Sequence, residues 1–216
     1  MHKSSLARMK WFVDTYLKDV PTQENKRISV LDVGSYDVNG TYKKFFPEDR
    51  FLYTGLDMAK GPNVDVVPKN PYNWDCIHTE DFDVVISGQC FEHLEFPWVT
   101  FAEMCRVLKK GGLMCLIAPY TCKRHRYPID CYRYDADSFA AFARYGNLEP
   151  LHISRQEAPQ NADKTWFGNI EDCILVARKP ENWSGMLDVK NYHFEPMDME
   201  KLRTGFLTAE EHPCMH

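Results

Sequence analysis

What the chain lacks narrows it early. Its eight cysteines, at positions 76, 90, 105, 115, 122, 131, 173 and 214, form no Cys-x-x-Cys pair, and several sit inside apolar runs where a thiol acts as a small hydrophobe. A reduced, cytoplasmic compartment fits them. There is no Gly-x-x-x-x-Gly-Lys-Ser/Thr and no Gly-x-Gly-x-x-Gly, so neither a phosphate-binding loop nor a dinucleotide fingerprint is present. Excess positive charge is missing too. A formal charge of −5 argues against extended nucleic-acid binding, while Lys123-Arg124-His125-Arg126 leaves room for a local basic site. Internal repeats, low-complexity stretches and a membrane span are absent. The apolar residues Leu6, Met9, Trp11, Phe12, Val13, Tyr16 and Leu17 follow an amphipathic helical spacing that Asp14 interrupts, which reads as a helix packed on a sheet.

What is present is an α/β pattern. With 44% hydrophobic and 13% aromatic residues, the 216-residue chain can bury a sizeable core as one enzyme domain. Ile28-Ser-Val-Leu-Asp-Val33 reads as a buried strand running into a turn with Gly34, and Asn39-Gly40 lead into a helix near Thr41. Asp32 ends that strand with a carboxylate, which suits a cationic ligand group and repels a pyrophosphate. Phe51–Asp57 is a second strand with a carboxylate at its end, roughly twenty residues after the glycine turn, where a ribose-binding acid is expected. The pattern predicts helix 5–19, strand 28–33, helix 40–46, strand 51–57, a short strand 64–67, strand 82–87, helix 97–108, strand 112–118, helix 135–145, strand 148–156 and strand 170–178. Residues 1–180 form the expected domain. Residues 181–216, which mix Trp183, Met186, Leu187, Tyr192, Phe194, Phe206 and Leu207 with prolines and charges, form an extension expected to pack on it or on a second copy.

Leu31-Asp-Val-Gly34, Gly55-Leu-Asp57, Phe82-Asp-Val-Val-Ile86 and Arg106-Val-Leu-Lys-Lys-Gly-Gly112, taken in this order over about residues 25–178, resemble the motifs of the class I S-adenosylmethionine-dependent methyltransferases. The resemblance implies a Rossmann-like, seven-stranded sheet in the order 3-2-1-4-5-7-6 with the last strand antiparallel. It also implies S-adenosylmethionine as cofactor. Backbone around Gly34, Ser35 and Tyr36 would hold the methionine part near Asp32. Asp57, with Met58 beside it, would receive the ribose hydroxyls. Asn70, Pro71, Tyr72 and the loop up to Trp74 would lie against the adenine, and Ser87, Gly88 and Gln89 would close the sulfonium side. Ser35 and Tyr36 stand where further glycines are common in that family.

Two segments follow strands of one sheet at the same edge: Gln89-Cys-Phe-Glu-His93 and His125-Arg-Tyr-Pro-Ile-Asp-Cys-Tyr-Arg-Tyr134. His93, His125 and Asp130 are the candidate catalytic groups, able to deprotonate an acceptor hydroxyl. The first segment is similar to the Glu-x-x-Glu-His metal motif of ubiquinone-biosynthesis and small-RNA O-methyltransferases. That likeness implies Glu92, His93 and His125 as ligands for a divalent cation such as Mg²⁺, with Gln89 replacing the first Glu. The second segment resembles a subset often associated with glycan assembly, and Arg126, Tyr127, Tyr132 and Arg133 are its candidate acceptor contacts. The expectation is O-methylation of a small molecule, foremost a sugar or glycan end. An N-methyltransferase, or a binding subunit that keeps the fold without turnover, are the alternatives.

Overall fold

The computed structural model describes residues 2–20, 26–155 and 171–192. Six strands form one mixed sheet in the order β2-β1-β3-β4-β6-β5. They are β1 (Ile28–Val33), β2 (Phe51–Leu56), β3 (Phe82–Gly88), β4 (Leu108–Thr121), β5 (Glu149–Arg155) and β6 (Glu171–Arg178). β1 pairs in parallel with β2 on one side and β3 on the other, β3 pairs in parallel with β4, and β6 runs antiparallel between β4 and β5. Helix α1 (Lys3–Phe12) covers one face, and α2 (Pro97–Val107) and α3 (Ala136–Tyr145) pack on the sheet as well.

Covering both faces requires strands that are apolar throughout, and the two-residue alternation sorts their side chains. Along β6, Cys173, Leu175 and Ala177 join the core shared with Phe101 and Phe139 of α2 and α3. Ile174 and Val176 join the core of Met9, Trp11 and Phe12 from α1. The order of the sheet reverses between β1 and β3, so their carboxyl ends diverge into a crevice where ligands bind in open α/β sheets.

Several expectations are corrected here. Six strands replace the seven expected, and the order changes accordingly. Residues 64–67 make only one parallel bridge, Leu56 to Val66, because Pro62 and Pro68 flank a stretch of five residues and the first of them, Asn63, turns the chain at φ 65°. The expected helix 40–46 is a single 3₁₀ turn, Lys43–Phe45. Gly40 at φ 135° and Pro47 leave too few residues to repay helix nucleation. The first helix gives way at Phe12 to a π turn, Val13–Leu17.

Helix α2 ends at Val107, one residue short of the expected 108, and β4 begins at once, four residues before the expected 112. The stop comes from a distant lysine: fully buried Lys179 donates to the carbonyls of Cys105 and Leu108 at 2.9 and 2.6 Å. Helix α3 starts as its sequence suggests, with Asp135 and Ser138 forming a capping box. Of the extension, residues 181–192 lie back on the end of α3, where the Trp183 indole donates to the Gly146 carbonyl at 2.7 Å. Phe194, Phe206 and Leu207 lie outside the described residues, as do the expected strand ends at 156 and 170.

Candidate active site at the carboxyl edge of the sheet

The loop after β1 is laced to the end of β2. Gly34 and Ser35 both donate their amides to the Leu56 carbonyl, at 2.9 and 3.1 Å, and the Tyr36 amide donates to the Asp57 carboxylate at 3.1 Å. Gly34 is required twice over. It holds φ 80°, and a Cβ there would meet the Cys90 Cβ and Sγ at 2.5 Å. The second Asp57 oxygen takes only a long bond, 3.3 Å, from the Ala59 amide, so the half-buried carboxylate keeps accepting capacity for ribose hydroxyls. Ser35 Oγ is buried against Gly55 and has no hydrogen-bond partner among the described residues. A carboxylate with accepting capacity to spare at the end of β2 is what a ligand's hydroxyls complete, and Asp57 fits the ribose of S-adenosylmethionine. Asp57→Ala is expected to weaken S-adenosylhomocysteine by about 1.5–3 kcal/mol through lost charge-assisted hydrogen bonds. Calorimetry checks it, and an unchanged affinity would remove Asp57 from the site.

Other expected cofactor residues are placed differently. Asp32 turns into the sheet rather than toward the loop: it is buried, accepts from the Tyr53 hydroxyl, and burial pushes its carboxyl up to about 7. It is therefore a poor counter-charge for a cation. Trp74 is no adenine platform. It is fully buried, and its indole donates to the Pro71 carbonyl at 3.0 Å. Asn70 caps its own turn by accepting from the Tyr72 amide at 2.9 Å. The Tyr72 hydroxyl accepts from the Glu95 amide at 3.2 Å, and Met58 is exposed. Ser87 is buried and donates to the Val33 carbonyl at 2.8 Å, bracing β3 on β1. Gly88 has no room for a Cβ because the Tyr42 hydroxyl would lie 1.9 Å from it. Gln89, at φ 58°, donates its side-chain amide to Asp172 at 2.9 Å, while its Oε1 is buried with no hydrogen-bond partner among the described residues.

The acceptor-side segments do converge. The Glu92 carbonyl accepts from the amides of Cys131 and Tyr132 at 2.7 and 3.2 Å, stitching the loop after β4 to the turn after β3. Glu92 Oε1 then lies 3.6 Å from His93 Nε2 and 4.0 Å from His125 Nε2. The two imidazoles stand at right angles with centroids 4.8 Å apart. His93 Nδ1 is bound to the Ile129 carbonyl at 2.5 Å and His125 Nδ1 to the Lys123 carbonyl at 3.1 Å. Carbonyls only accept, so His93 Nδ1 carries the proton and its Nε2 turns a lone pair toward Glu92, while His125 Nδ1 is shared between the Lys123 carbonyl and the Cys122 thiol at 3.1 Å. Glu92 is fully buried, neither carboxylate oxygen has a hydrogen-bond partner among the described residues, and burial raises its carboxyl to about 8. Burial also lowers His93 from its ordinary value.

Asp130 is not free to act as a catalytic acid or base. Arg133 grips it with two bonds, 2.5 and 2.9 Å, and the His125 amide adds a third at 2.7 Å. Arg133, first in effect, holds the Asp130 carboxyl down at about 2. Arg133 and Asp130 thus brace the loop, correcting the acceptor role expected for the one and the catalytic role expected for the other. Tyr132 is also engaged, donating to the Glu95 carbonyl at 3.1 Å, whereas Arg126 and Tyr127 are exposed.

Sequence reasoning missed Asp172 and Ser4. The Ser4 hydroxyl donates to Asp172 at 2.6 Å, tying α1 to the strand start beside Gln89. The signal was available, since an antiparallel last strand begins at the ligand edge and Asp172 stands at its beginning.

Residues 52–116 match the family described as a methyltransferase domain. No curated protein is matched by the chain. Among solved structures it is similar to a putative methyltransferase from Bacillus halodurans C-125, at 14% identity and TM-score 0.58 over 82% of this chain and 99% of that one. The 1,6-didemethyltoxoflavin-N1-methyltransferase of Burkholderia thailandensis, solved with S-adenosylhomocysteine, is 16% identical at TM-score 0.60 over 82% of this chain and 79% of the other. Haemonchus contortus phosphoethanolamine N-methyltransferase 2, with S-adenosyl-L-methionine, is 14% identical at TM-score 0.55 over 80% of this chain and 52% of its own. At such identities the structures speak for the fold, and the matched segment, which includes Asp57 and all of β3, speaks for the activity. The methyltransferase-domain match and the methyltransferase fold together support an S-adenosylmethionine-dependent methyltransferase.

Proposed function

We propose that the chain methylates a hydroxyl oxygen of a small molecule, foremost a sugar or glycan end, and that Glu92, His93 and His125 form the group that takes the hydroxyl proton. The observation that carries this reading is the buried, unpartnered Glu92 carboxylate facing two imidazole Nε2 atoms. His93, held by the Ile129 carbonyl behind it, would present a lone pair that needs no reorientation, with His125 beside it, and Glu92, its carboxyl raised to about 8, would turn negative only as positive charge forms next to it. A loop braced by Arg133 and Asp130 keeps His125 against Glu92 while the acceptor binds. S-adenosylmethionine, when bound, supplies the methyl group on a sulfonium. Residues 34–36 and Asp57 position it, and much of the rate comes from holding two reactants in line.

The same three side chains fit a divalent cation, since their ligand atoms lie within 4.8 Å of one another and the carboxylate has no hydrogen-bond partner among the described residues. Such an ion would lower the pKa of a hydroxyl bound to it. Treatment with chelator is expected to abolish turnover on a hydroxylated acceptor and leave S-adenosylhomocysteine affinity unchanged, with Mg²⁺ or another divalent ion restoring activity. Metal content and thermal stability of Glu92→Gln should follow the same pattern. Full turnover in chelator would leave the proton to the histidines alone.

The extension 181–216 is proposed to serve packing rather than catalysis. Leu187 donates its amide to the Tyr145 carbonyl at 2.8 Å, and the Tyr192 ring lies beside the Arg144 guanidinium at 5.8 Å.

A further inference from the structure

Gln89 Oε1 is buried with no hydrogen-bond partner among the described residues, although Nε2 of the same amide donates to Asp172 Oδ1 at 2.9 Å. The backbone beneath it is unusual as well. At φ 58° this glutamine occupies the left-handed region, a strain that functional sites retain. The start of α1 fixes the Gly88-Gln89 dipeptide from both sides. Ser4 donates to the other Asp172 oxygen at 2.6 Å, and Ser5 shares a hydrogen bond with the Tyr42 hydroxyl, which lies on Gly88. With two donors on it, Asp172 acts as a carboxylate and can only accept, which commits the Gln89 amide: N–H toward Asp172, oxygen away from it. Three relations place this arrangement at the acceptor group. Glu92 follows Gln89 by three positions, in the 3₁₀ turn Phe91–His93 that leaves β3. Asp172 is within electrostatic reach of Glu92, and His2, two residues before Ser4, is within reach of His125.

We propose that Gln89 is a specificity-determining residue: its Oε1, aimed by Asp172 and Ser4, accepts a hydrogen bond from a second hydroxyl of the acceptor, next to the one that is methylated. This rests on the reading of the acceptor as a hydroxyl compound and narrows it to a vicinal diol, such as neighbouring carbons of a sugar ring provide. Selection follows from the orphaned oxygen. A second hydroxyl satisfies it, a hydrogen in that place leaves a buried carbonyl unpaired, and an ether oxygen sets two acceptors against each other. The Glu92 group takes the proton of one hydroxyl while Gln89 holds the other, so the acceptor is fixed at two points as the methyl arrives. Asp172 and Ser4 act through Gln89 as positioning residues, keeping its amide from turning over.

The test is a methyl-transfer assay on the full chain with the methyl glycosides of glucose, galactose, mannose and rhamnose, followed, for the glycoside methylated fastest, by its mono-deoxy and mono-O-methyl forms. One position beside the methylated hydroxyl is expected to discriminate, its deoxy and ether forms raising KM at least about tenfold. In Gln89→Leu that discrimination should vanish, so that the three forms share one KM, while S-adenosylhomocysteine binds as it does to the wild type. Asp172→Asn keeps the packing but brings its own N–H, which can pair with Oε1 once the Gln89 amide turns over. Discrimination should then be lost with the melting temperature held, whereas a merely structural contact predicts that selectivity stays. Discrimination that survives both substitutions would overturn the proposal, as would equal KM values for the hydroxyl, deoxy and ether forms at every neighbouring position of the wild type. A fall in bound Mg²⁺ or in S-adenosylhomocysteine affinity in Gln89→Leu would overturn it in favour of a metal or cofactor contact. All of these leave the proposed reaction standing. Transfer to no hydroxyl of any glycoside removes the reaction itself, and the reading of Gln89 with it.

Discussion

His93→Ala is expected to lower turnover on a hydroxylated acceptor by about 10²–10⁴-fold while leaving S-adenosylhomocysteine affinity near wild type. The imidazole is fixed by the Ile129 carbonyl and faces Glu92, on the acceptor side. Its loss removes one structural hydrogen bond, so the melting temperature should fall by only a few degrees, about 1 kcal/mol. His125→Ala should behave alike but add some loosening of the loop. If both variants turn over normally on an identified acceptor, the Glu92 group has no part in the chemistry, although the methyltransferase assignment stands.

Trp74→Ala is expected to cost about 3–5 kcal/mol of stability, with S-adenosylhomocysteine affinity of the folded fraction little changed. The indole is among the largest fully buried side chains and joins the core of Phe101 and Met104. Around it, the Trp74 amide donates to Glu103 at 2.8 Å and Arg106 returns to the Trp74 carbonyl at 2.9 Å. An adenine platform would give the opposite result: affinity would drop and the melt would hold. Denaturant titration together with calorimetry on the same variant decides between them.

Trp74 shows where sequence reading runs out. An aromatic beside Asn70 and Pro71 looks the same whether its ring meets a ligand or a core, because the difference lies in the arrival of α2 from elsewhere in the chain. Asp130 failed for a related reason. A carboxylate in a loop near two histidines reads as an acid or base, and only the fold reveals that Arg133, three residues on, consumes it. Local signals read well where the physics is local. The helix at 135–145, the glycine turn at Gly34 and the apolar runs of β1 and β3 depend on neighbouring residues, and they were legible. The partner of the last α2 carbonyls was not, since it is Lys179, more than seventy positions away. The meeting of Glu92 with His125 lies between these cases: topology brought both segments to one edge, while the bonds from Cys131 and Tyr132 that close the gap could not be foreseen.

The position of β6 bears on how the molecule is made. Lying between β4 and β5, it is the neighbour both need, yet it is the last of the six strands to be synthesised. Until Glu171–Arg178 has emerged, β4 presents an open apolar edge and β5 has no strand to pair with. A nascent chain therefore spends its late growth with one edge of β4 open and β5 unpaired, the state most open to aggregation or to chaperone capture. Asp172 arrives with that same strand, so Ser4 and Gln89 gain their shared partner only then. The ligand edge is finished in the same event that closes the sheet, and a chain cut short before β6 would lose both together.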